Sequence, residues 1–314
     1  MTKQKDIESV LNIAKENGLH LKHEGADINE TGMDFQVVFA EDDSGVTWVL
    51  RKPRRPDVIE RAAAESDVLT FLRSYVTVSV PDWRIHTPEL IAYPKLDGIP
   101  AAVIDLEKKQ YVWNMEHEPP SDDFVRSLAA ALAGLHGADP ATASKSGIEI
   151  IKPDDVRQRA AESMDRVKKE IGVSEPLWQR WQTWINDSSY WPDFSALIHG
   201  DLHPPHILIG PNQCVTGLLD WTEAKVADPA KDFVLYQAIF GEKETKRLLQ
   251  SYQAEGGRIW PKMQEHVTEW QAAYPVETAK FALQTGQEEH MQMARDMLGL
   301  ADTKGYRLPP DDSV

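Results

Sequence analysis

Apolar residues recur at helical spacing near the N-terminus. Ile7, Val10, Leu11 and Ala14 share one face, and Gly18 is placed to stop the helix. The period then changes to that of strands. Residues 35–39 and 46–51 are β-rich runs on either side of the turn sequence Asp42-Asp43-Ser44-Gly45, which predicts a hairpin. A short loop with one glycine, Asn29-Glu30-Thr31-Gly32-Met33, precedes it. Pro53 and Pro56 end the second strand and open a helix over about residues 57–73. The inward stripe of that helix is Val58, Ala62, Glu65, Leu69 and Leu72, so a carboxylate interrupts an apolar face. A buried carboxylate without a partner costs several kcal/mol, and a cation is expected to meet it. Short strands are predicted near residues 83–86 and 89–93, followed by a linker, Pro94-Lys95-Leu96-Asp97-Gly98.

From residue 121 the pattern is mostly helical. Ser121 is a capping residue with Asp122 and Asp123 in the first turn, Phe124, Leu128, Leu132 and Leu135 form the buried stripe, and Gly137 closes the helix. Further helices are predicted over residues 153–170 and 175–187. Two short β-like runs, 207–209 and 215–219, then flank a Gly210-Pro211-Asn212 turn, and helices follow from Lys231. No repeat is visible, and the tail around residues 308–312 is expected to fray.

Composition narrows the function classes. With 314 residues, 41% hydrophobic and 27% charged, the chain can build two lobes, each with a core. The formal net charge of −16 argues against a nucleic-acid partner, which needs basic patches. One local exception is Arg51, Lys52, Arg54 and Arg55, four cations in five residues, where an anionic ligand would be welcome. No apolar run approaches the roughly 18 residues of a membrane helix, and no signal peptide is visible. The single cysteine, Cys214, permits no internal disulfide, which fits a reducing cytoplasm.

The densest chemistry lies in His199-Gly200-Asp201-Leu202-His203-Pro204-Pro205-His206, bracketed by apolar β-prone residues and followed by Leu218-Leu219-Asp220-Trp221 and Asp228-Pro229-Ala230-Lys231-Asp232-Phe233. These residues offer a carboxylate as a base, and a second carboxylate with an imidazole for a metal. The segment resembles the antibiotic and small-molecule phosphotransferases related to protein kinases. Their loop reads His-Gly-Asp, with a metal-binding side chain five positions after the Asp and a second metal-binding Asp two strands later. Within that superfamily, Trp48 through Pro56, Val80-Pro81-Asp82-Trp83-Arg84, and the loop with His203 and His206 look like macrolide 2′-phosphotransferases, a resemblance running from about Gly25 to Met291.

The resemblance implies an α/β (α+β), bilobal, protein-kinase-like fold. A small antiparallel-sheet lobe over residues 1–97 would bind the nucleotide, and a mostly helical lobe over 98–314 would carry catalysis and substrate. It makes Asp201 the catalytic base, and His206 and Asp220 the ligands of Mg²⁺. Imidazole is softer than Mg²⁺ prefers, so Mn²⁺ is an expected substitute. His199 and His203 are read as hydrogen-bonding residues of a tight loop, and Asp228 and Asp232 as residues that cap a helix or brace the loop. Strand alternation puts Val49 and Arg51 on one face, which makes Arg51 the inward partner of Glu65 and the phosphate contact, with Lys52 as the alternative. The family expectation puts a phosphate cradle at Gly32 and the nucleobase hinge at Tyr93 to Leu96. GTP or ATP is the implied donor.

The implied acceptor is a macrolide, phosphorylated at the 2′-hydroxyl of its amino sugar to give resistance, by a cytoplasmic monomer. Such a large apolar ligand with one cation needs an apolar wall and an acidic contact. Met263, Val267, Trp270 and Tyr274 share a helical face, and Tyr274, Glu277 and Phe281 are the candidate substrate residues. The alternatives are a kinase of another hydroxylated molecule such as an aminoglycoside, an inactive kinase-like binding protein, and a metal hydrolase built on His199, Asp201, His203 and His206.

Overall fold

The first apolar stripe folds as α1 (Thr2–Glu16), ending at Gly18 with φ 83°. It is followed by β1 (Asp27–Asn29), β2 (Phe35–Glu41) and β3 (Thr47–Pro53), then α2 (Pro56–Leu72), β4 (Ile85–His86) and β5 (Ile91–Pro94). The computed structural model describes residues 2–30, 32, 34–105, 107–108 and 110–300, so Thr31 and Met33 of the expected cradle and the tail beyond 300 lie outside the described residues.

The strands form a five-stranded antiparallel sheet in the order β1-β2-β3-β5-β4. Period-two alternation gives each face its own helix. Val38, Ala40, Leu50 and Ala92 pack under Val10 and Leu11 of α1. Phe35, Val49, Ile91 and Tyr93 pack under Val58 and Ala62 of α2. The last turns of α2 bury Val68, Leu69 and Leu72 in the core of the other lobe, so this helix ties the two lobes together.

Past the linker, β6 (Ile99–Pro100) pairs with a later strand, and β7 (Ala102–Asp105) and β8 (Gln110–Trp113) form a hairpin. Neither was expected from the sequence. Next come α3 (Asp122–His136), α4 (Pro140–Lys145), α5 (Pro153–Glu170) and α6 (Glu175–Asn186). The Ser121 hydroxyl caps α3 by accepting from the Phe124 N–H. Strands β9 (Ala196–Ile198), β10 (Ile207–Ile209), β11 (Val215–Leu218) and β12 (Lys225–Ala227) pair as β10 with β6 and β11, and β9 with β12. Four helices close the chain, α7 (Lys231–Ala254), α8 (Met263–Ala272), α9 (Pro275–Thr285) and α10 (Glu288–Met297). Helix α7 breaks at Gly241, whose φ of 80° and ψ of 171° belong to no helix. The helical lobe has two main cores, one around α3 and α7 and one where α5, α6, α9 and α10 meet. Among the described residues, no helix is long and apolar enough to cross a membrane.

Candidate active site

The two pairings β9–β12 and β10–β11 bring two loops side by side. One carries His199 to His206, and the other carries Asp220. The His206 Nδ1–H donates to the Asp201 carbonyl at 3.0 Å. That bond leaves Nε2 as the lone-pair nitrogen, and it stands 3.8 Å from Asp220 Oδ2. Asp201 Oδ2 is 3.6 Å from His206 Nδ1. Asp201, His206 and Asp220 therefore sit together, and the imidazole and the Asp220 carboxylate present their ligand atoms to a shared space. The donor set suits a divalent cation. Asp220 adopts a left-handed φ of 61°, a strained choice for a residue with a side chain. The Thr222 hydroxyl donates to its Oδ1 at 2.8 Å. Burial works against the Asp220 charge, yet His206 and Arg51 hold its carboxyl below the usual range, so it is an anion at neutral pH.

A second arrangement overlaps the first. Asp201, His203 and His206 each offer a ligand atom within 4.8 Å of the others. Burial, and then the neighbouring His206, push the His203 imidazole down to about 4, and its Nδ1 is 3.1 Å from the Tyr111 hydroxyl.

In the small lobe, Arg51 points inward from β3 and meets Glu65 of α2. The Arg51 Nη1 donates to both Glu65 oxygens, at 3.0 and 3.2 Å, and the Glu65 side chain is fully buried. The guanidinium also lies 4.0 Å from the Phe35 ring centroid. Burial opposes its charge, but Glu65 raises the Arg51 pKa above its ordinary value. Glu65 reaches further. It accepts from the Trp221 N–H at 3.4 Å, which ties the strand–helix pair to the Asp220 loop, and the Thr222 hydroxyl that donates to Asp220 stands 3.5 Å from Glu65 Oε2. The rest of the basic cluster is mostly spoken for. Arg54 donates to the Gly32 and Glu30 carbonyls, and Arg55 pairs with Asp34. The Lys52 side chain makes no hydrogen bond or ion pair among the described residues, and it faces away from Glu65 on the strand. Gly32 is exposed, and Leu96 is half-buried in the linker. Tyr93 is buried on the α2 face near Arg51, and burial raises its hydroxyl to about 12.

The loop from His199 to His206 is braced from below. The Asp232 carboxylate accepts the His199 and Gly200 N–H groups, both at 2.8 Å, and meets His136 Nε2 at 3.1 Å. His199 is fully buried. Its Nε2–H donates to the Leu219 carbonyl at 2.9 Å while its Nδ1 accepts from the Asp201 N–H at 3.3 Å. Burial lowers its pKa, which keeps this neutral tautomer. Gly200 has φ 86°, and a Cβ there would stand 2.6 Å from the Glu223 carbonyl oxygen. Gly200→Ala must therefore shift the loop backbone. It is expected to lower stability by roughly 1–3 kcal/mol and to cut turnover, as thermal melting and initial rates would show.

A cavity of about 310 Å³ opens beside Asp201. Val156, Ala160 and Met164 of α5, Trp270 of α8 and Val276 of α9 give it an apolar wall. Its polar groups include Asp201, Tyr274, Glu277 and Lys231, with Lys225, Lys280 and Arg159 also on the lining. Burial and the Asp201 charge both raise the Tyr274 hydroxyl's pKa. The anticipated stripe divides here. Met263 and Val267 are core residues against α7, while Trp270 and Tyr274 face the cavity. Phe281 is exposed on α9 and packs on His290, outside the cavity lining. Two contributors went unread in the sequence. The stripe of α5 has helical spacing, but a cavity wall and a core share that signature. Lys231 sits inside the Asp-Pro-Ala-Lys-Asp segment, whose acids drew the attention.

A small lobe whose strand and helix share a buried ion pair, joined to a helical lobe carrying a His-Gly-Asp loop, defines a protein-kinase-like fold and a small-molecule kinase. The chain belongs to the phosphotransferase enzyme family, whose model matches residues 27–266. It is 68% identical over 294 residues to the uncharacterized protein YcbJ of Bacillus subtilis (strain 168), covering 94% of this chain and 96% of that one. Among solved structures, the macrolide 2′-phosphotransferase MphH from Brachybacterium faecium, as apoenzyme, superposes with a TM-score of 0.89 at 38% identity, covering 96% of this chain and 100% of that one. A macrolide 2′-phosphotransferase type I superposes with a TM-score of 0.86 at 39% identity, covering 95% and 98%.

Proposed function

We propose that this protein transfers the γ-phosphate of GTP or ATP to the 2′-hydroxyl of a macrolide amino sugar, and so confers resistance. The observation that carries this is the cavity beside Asp201. It has an apolar wall for a large apolar acceptor, and acids at Asp201 and Glu277 for its one cation. The likeness to two macrolide 2′-phosphotransferases over nearly the whole chain supports the same acceptor.

Phosphoryl transfer asks the protein for positioning and charge neutralisation more than for covalent chemistry. Asp201 accepts the proton of the acceptor hydroxyl and turns its oxygen toward the phosphate. Arg51, held by Glu65, grips the nucleotide phosphates, and the segment from Tyr93 to Leu96 reads the base. His206 and Asp220 would hold Mg²⁺ or Mn²⁺, which supplies positive charge against the phosphate oxygens. Residues 1–97 then form the nucleotide lobe and 98–314 the catalytic lobe. The enzyme works as a cytoplasmic monomer.

The test is phosphate transfer from labelled GTP and ATP to erythromycin-like and aminoglycoside acceptors. We expect labelled macrolide with at least one nucleotide, and aminoglycoside labelling alone would move the acceptor assignment. The spacing of Asp201, His203 and His206 favours one other activity, metal-dependent hydrolysis. That activity would show as chelator-sensitive turnover with no nucleotide present.

A further inference from the structure

We propose that Lys231 sets the charge of the acceptors this cavity admits. Its ammonium turns away polycations and leaves room for oxygen-rich molecules bearing a single cation. The inference rests on the phosphotransferase activity proposed above.

Lys231 is the first residue of α7 and lines the cavity with Asp201 and Glu277. Its Nζ lies 4.3 Å from the Trp270 ring centroid, and among the described residues it makes no hydrogen bond or ion pair. The other cations on the cavity are each paired with an acid. Lys225 meets Glu223 at 3.4 Å, Lys280 meets Glu277 at 2.8 Å, and Arg159 meets Glu149 at 2.9 Å. Asp228, whose charge reaches Lys231, is already engaged. It accepts from the His266 Nε2–H at 2.6 Å, from Trp270 Nε1 at 2.9 Å and from the Ala230 N–H at 2.9 Å.

The charges of Glu277 and Asp228 favour an ammonium here, but two local influences oppose it. Burial lowers its pKa, and the N-terminal end of a helix is the positive end of the peptide dipoles. The Trp270 ring recovers only part of that cost. A cation with no direct acidic partner on the wall of a cavity is a sign of a functional constraint. Charge repulsion supplies the function. A ligand with one cation can turn it toward Asp201, whereas a ligand with amines spread over several rings must bring one near Lys231. The same ammonium has three donors free for the ether, hydroxyl and carbonyl oxygens of a neutral acceptor.

The experiment compares the wild-type chain with Lys231→Met and Lys231→Glu, using erythromycin as the single cation and kanamycin as the polycation. Steady-state kinetics and calorimetric binding are read together, and thermal melting confirms folding. Lys231→Met keeps a flexible apolar stem over Trp270. The preference for erythromycin over kanamycin in Kd and KM is expected to fall at least about tenfold in Lys231→Met and further in Lys231→Glu, less so at high salt. Folded variants that keep the wild-type preference, or that lose both ligands equally as a structural residue would dictate, overturn the proposal. If the wild-type chain phosphorylates no macrolide, the proposed activity fails, but calorimetry still judges Lys231. Kanamycin bound about tenfold more tightly by Lys231→Glu supports its role, and unchanged kanamycin binding rejects it.

Discussion

Asp201→Asn is expected to lower kcat by roughly 10²–10⁴-fold, the usual loss when a general base is removed, while the protein melts at an unchanged temperature. The two halves of this expectation have separate causes. Asparagine has nearly the shape of aspartate but cannot take a proton from the acceptor hydroxyl. The Asp201 side chain is 44% exposed, so its charge is solvated and no buried partner is stranded by its loss. The contacts that shape the loop use the backbone of this residue. Its N–H donates to His199 Nδ1, and its carbonyl accepts from His206, and both survive the substitution. Nucleotide binding should persist as well, since Arg51, His206 and Asp220 are untouched. Initial rates at saturating nucleotide, with a melting curve beside them, make the measurement. Turnover close to wild type would remove Asp201 from the chemistry, whatever the acceptor.

The elements that sequence alone made legible are those where one strong local pattern governs. Helix α5 falls at Pro153–Glu170 and strand β10 at Ile207–Ile209, as the periodicity predicts, and Ser121 caps α3 as its position suggests. Glu65 was conspicuous because a carboxylate on an apolar stripe demands a cation, and alternation along β3 named Arg51 over Lys52 as the inward side chain. What stayed hidden depends on contacts between distant segments. Strand β6 exists because Ile99 and Pro100 meet Ile209 and Leu208, more than a hundred residues away. Within the site, the grouping of Asp201, His206 and Asp220 was implied by the family resemblance. The second role of Glu65 was not. Its bond to the Trp221 N–H joins α2 to a loop 156 positions later, and no local pattern carries that. The cavity wall was hidden for a different reason. Val156 and Met164 are spaced as core residues are, and only the neighbouring void distinguishes them.

That second role makes Glu65 the position where stability and turnover fall together. Arg51→Ala leaves a fully buried carboxylate without its cation, and a change of this kind costs about 3–5 kcal/mol. Glu65→Ala strands the guanidinium instead, and it also leaves the Trp221 N–H without its acceptor beside Asp220. The double variant Arg51→Met, Glu65→Leu replaces both charges with apolar groups of comparable length. It is expected to regain much of the stability lost by either alanine variant, because two buried apolar side chains carry no desolvation penalty. It should regain none of the turnover, since the proposed phosphate contact is gone and the Glu65 hydrogen bond from α2 to the Asp220 loop is lost. Arg51→Lys separates the two functions further. A lysine keeps the charge but loses the planar guanidinium that lies 4.0 Å from the Phe35 ring, so it holds the carboxylate less firmly than Nη1 does with its bonds at 3.0 and 3.2 Å. Its stability should lie between wild type and Arg51→Ala, with KM for the nucleotide raised more than kcat is lowered. Denaturant unfolding of Arg51→Ala, Glu65→Ala and the double alanine variant gives the coupling between the two positions, and nucleotide titrations give the binding. Independent, additive losses at Arg51 and Glu65 would mean the ion pair is not the bridge, and the lobes would have to be held in register through the apolar end of α2 alone.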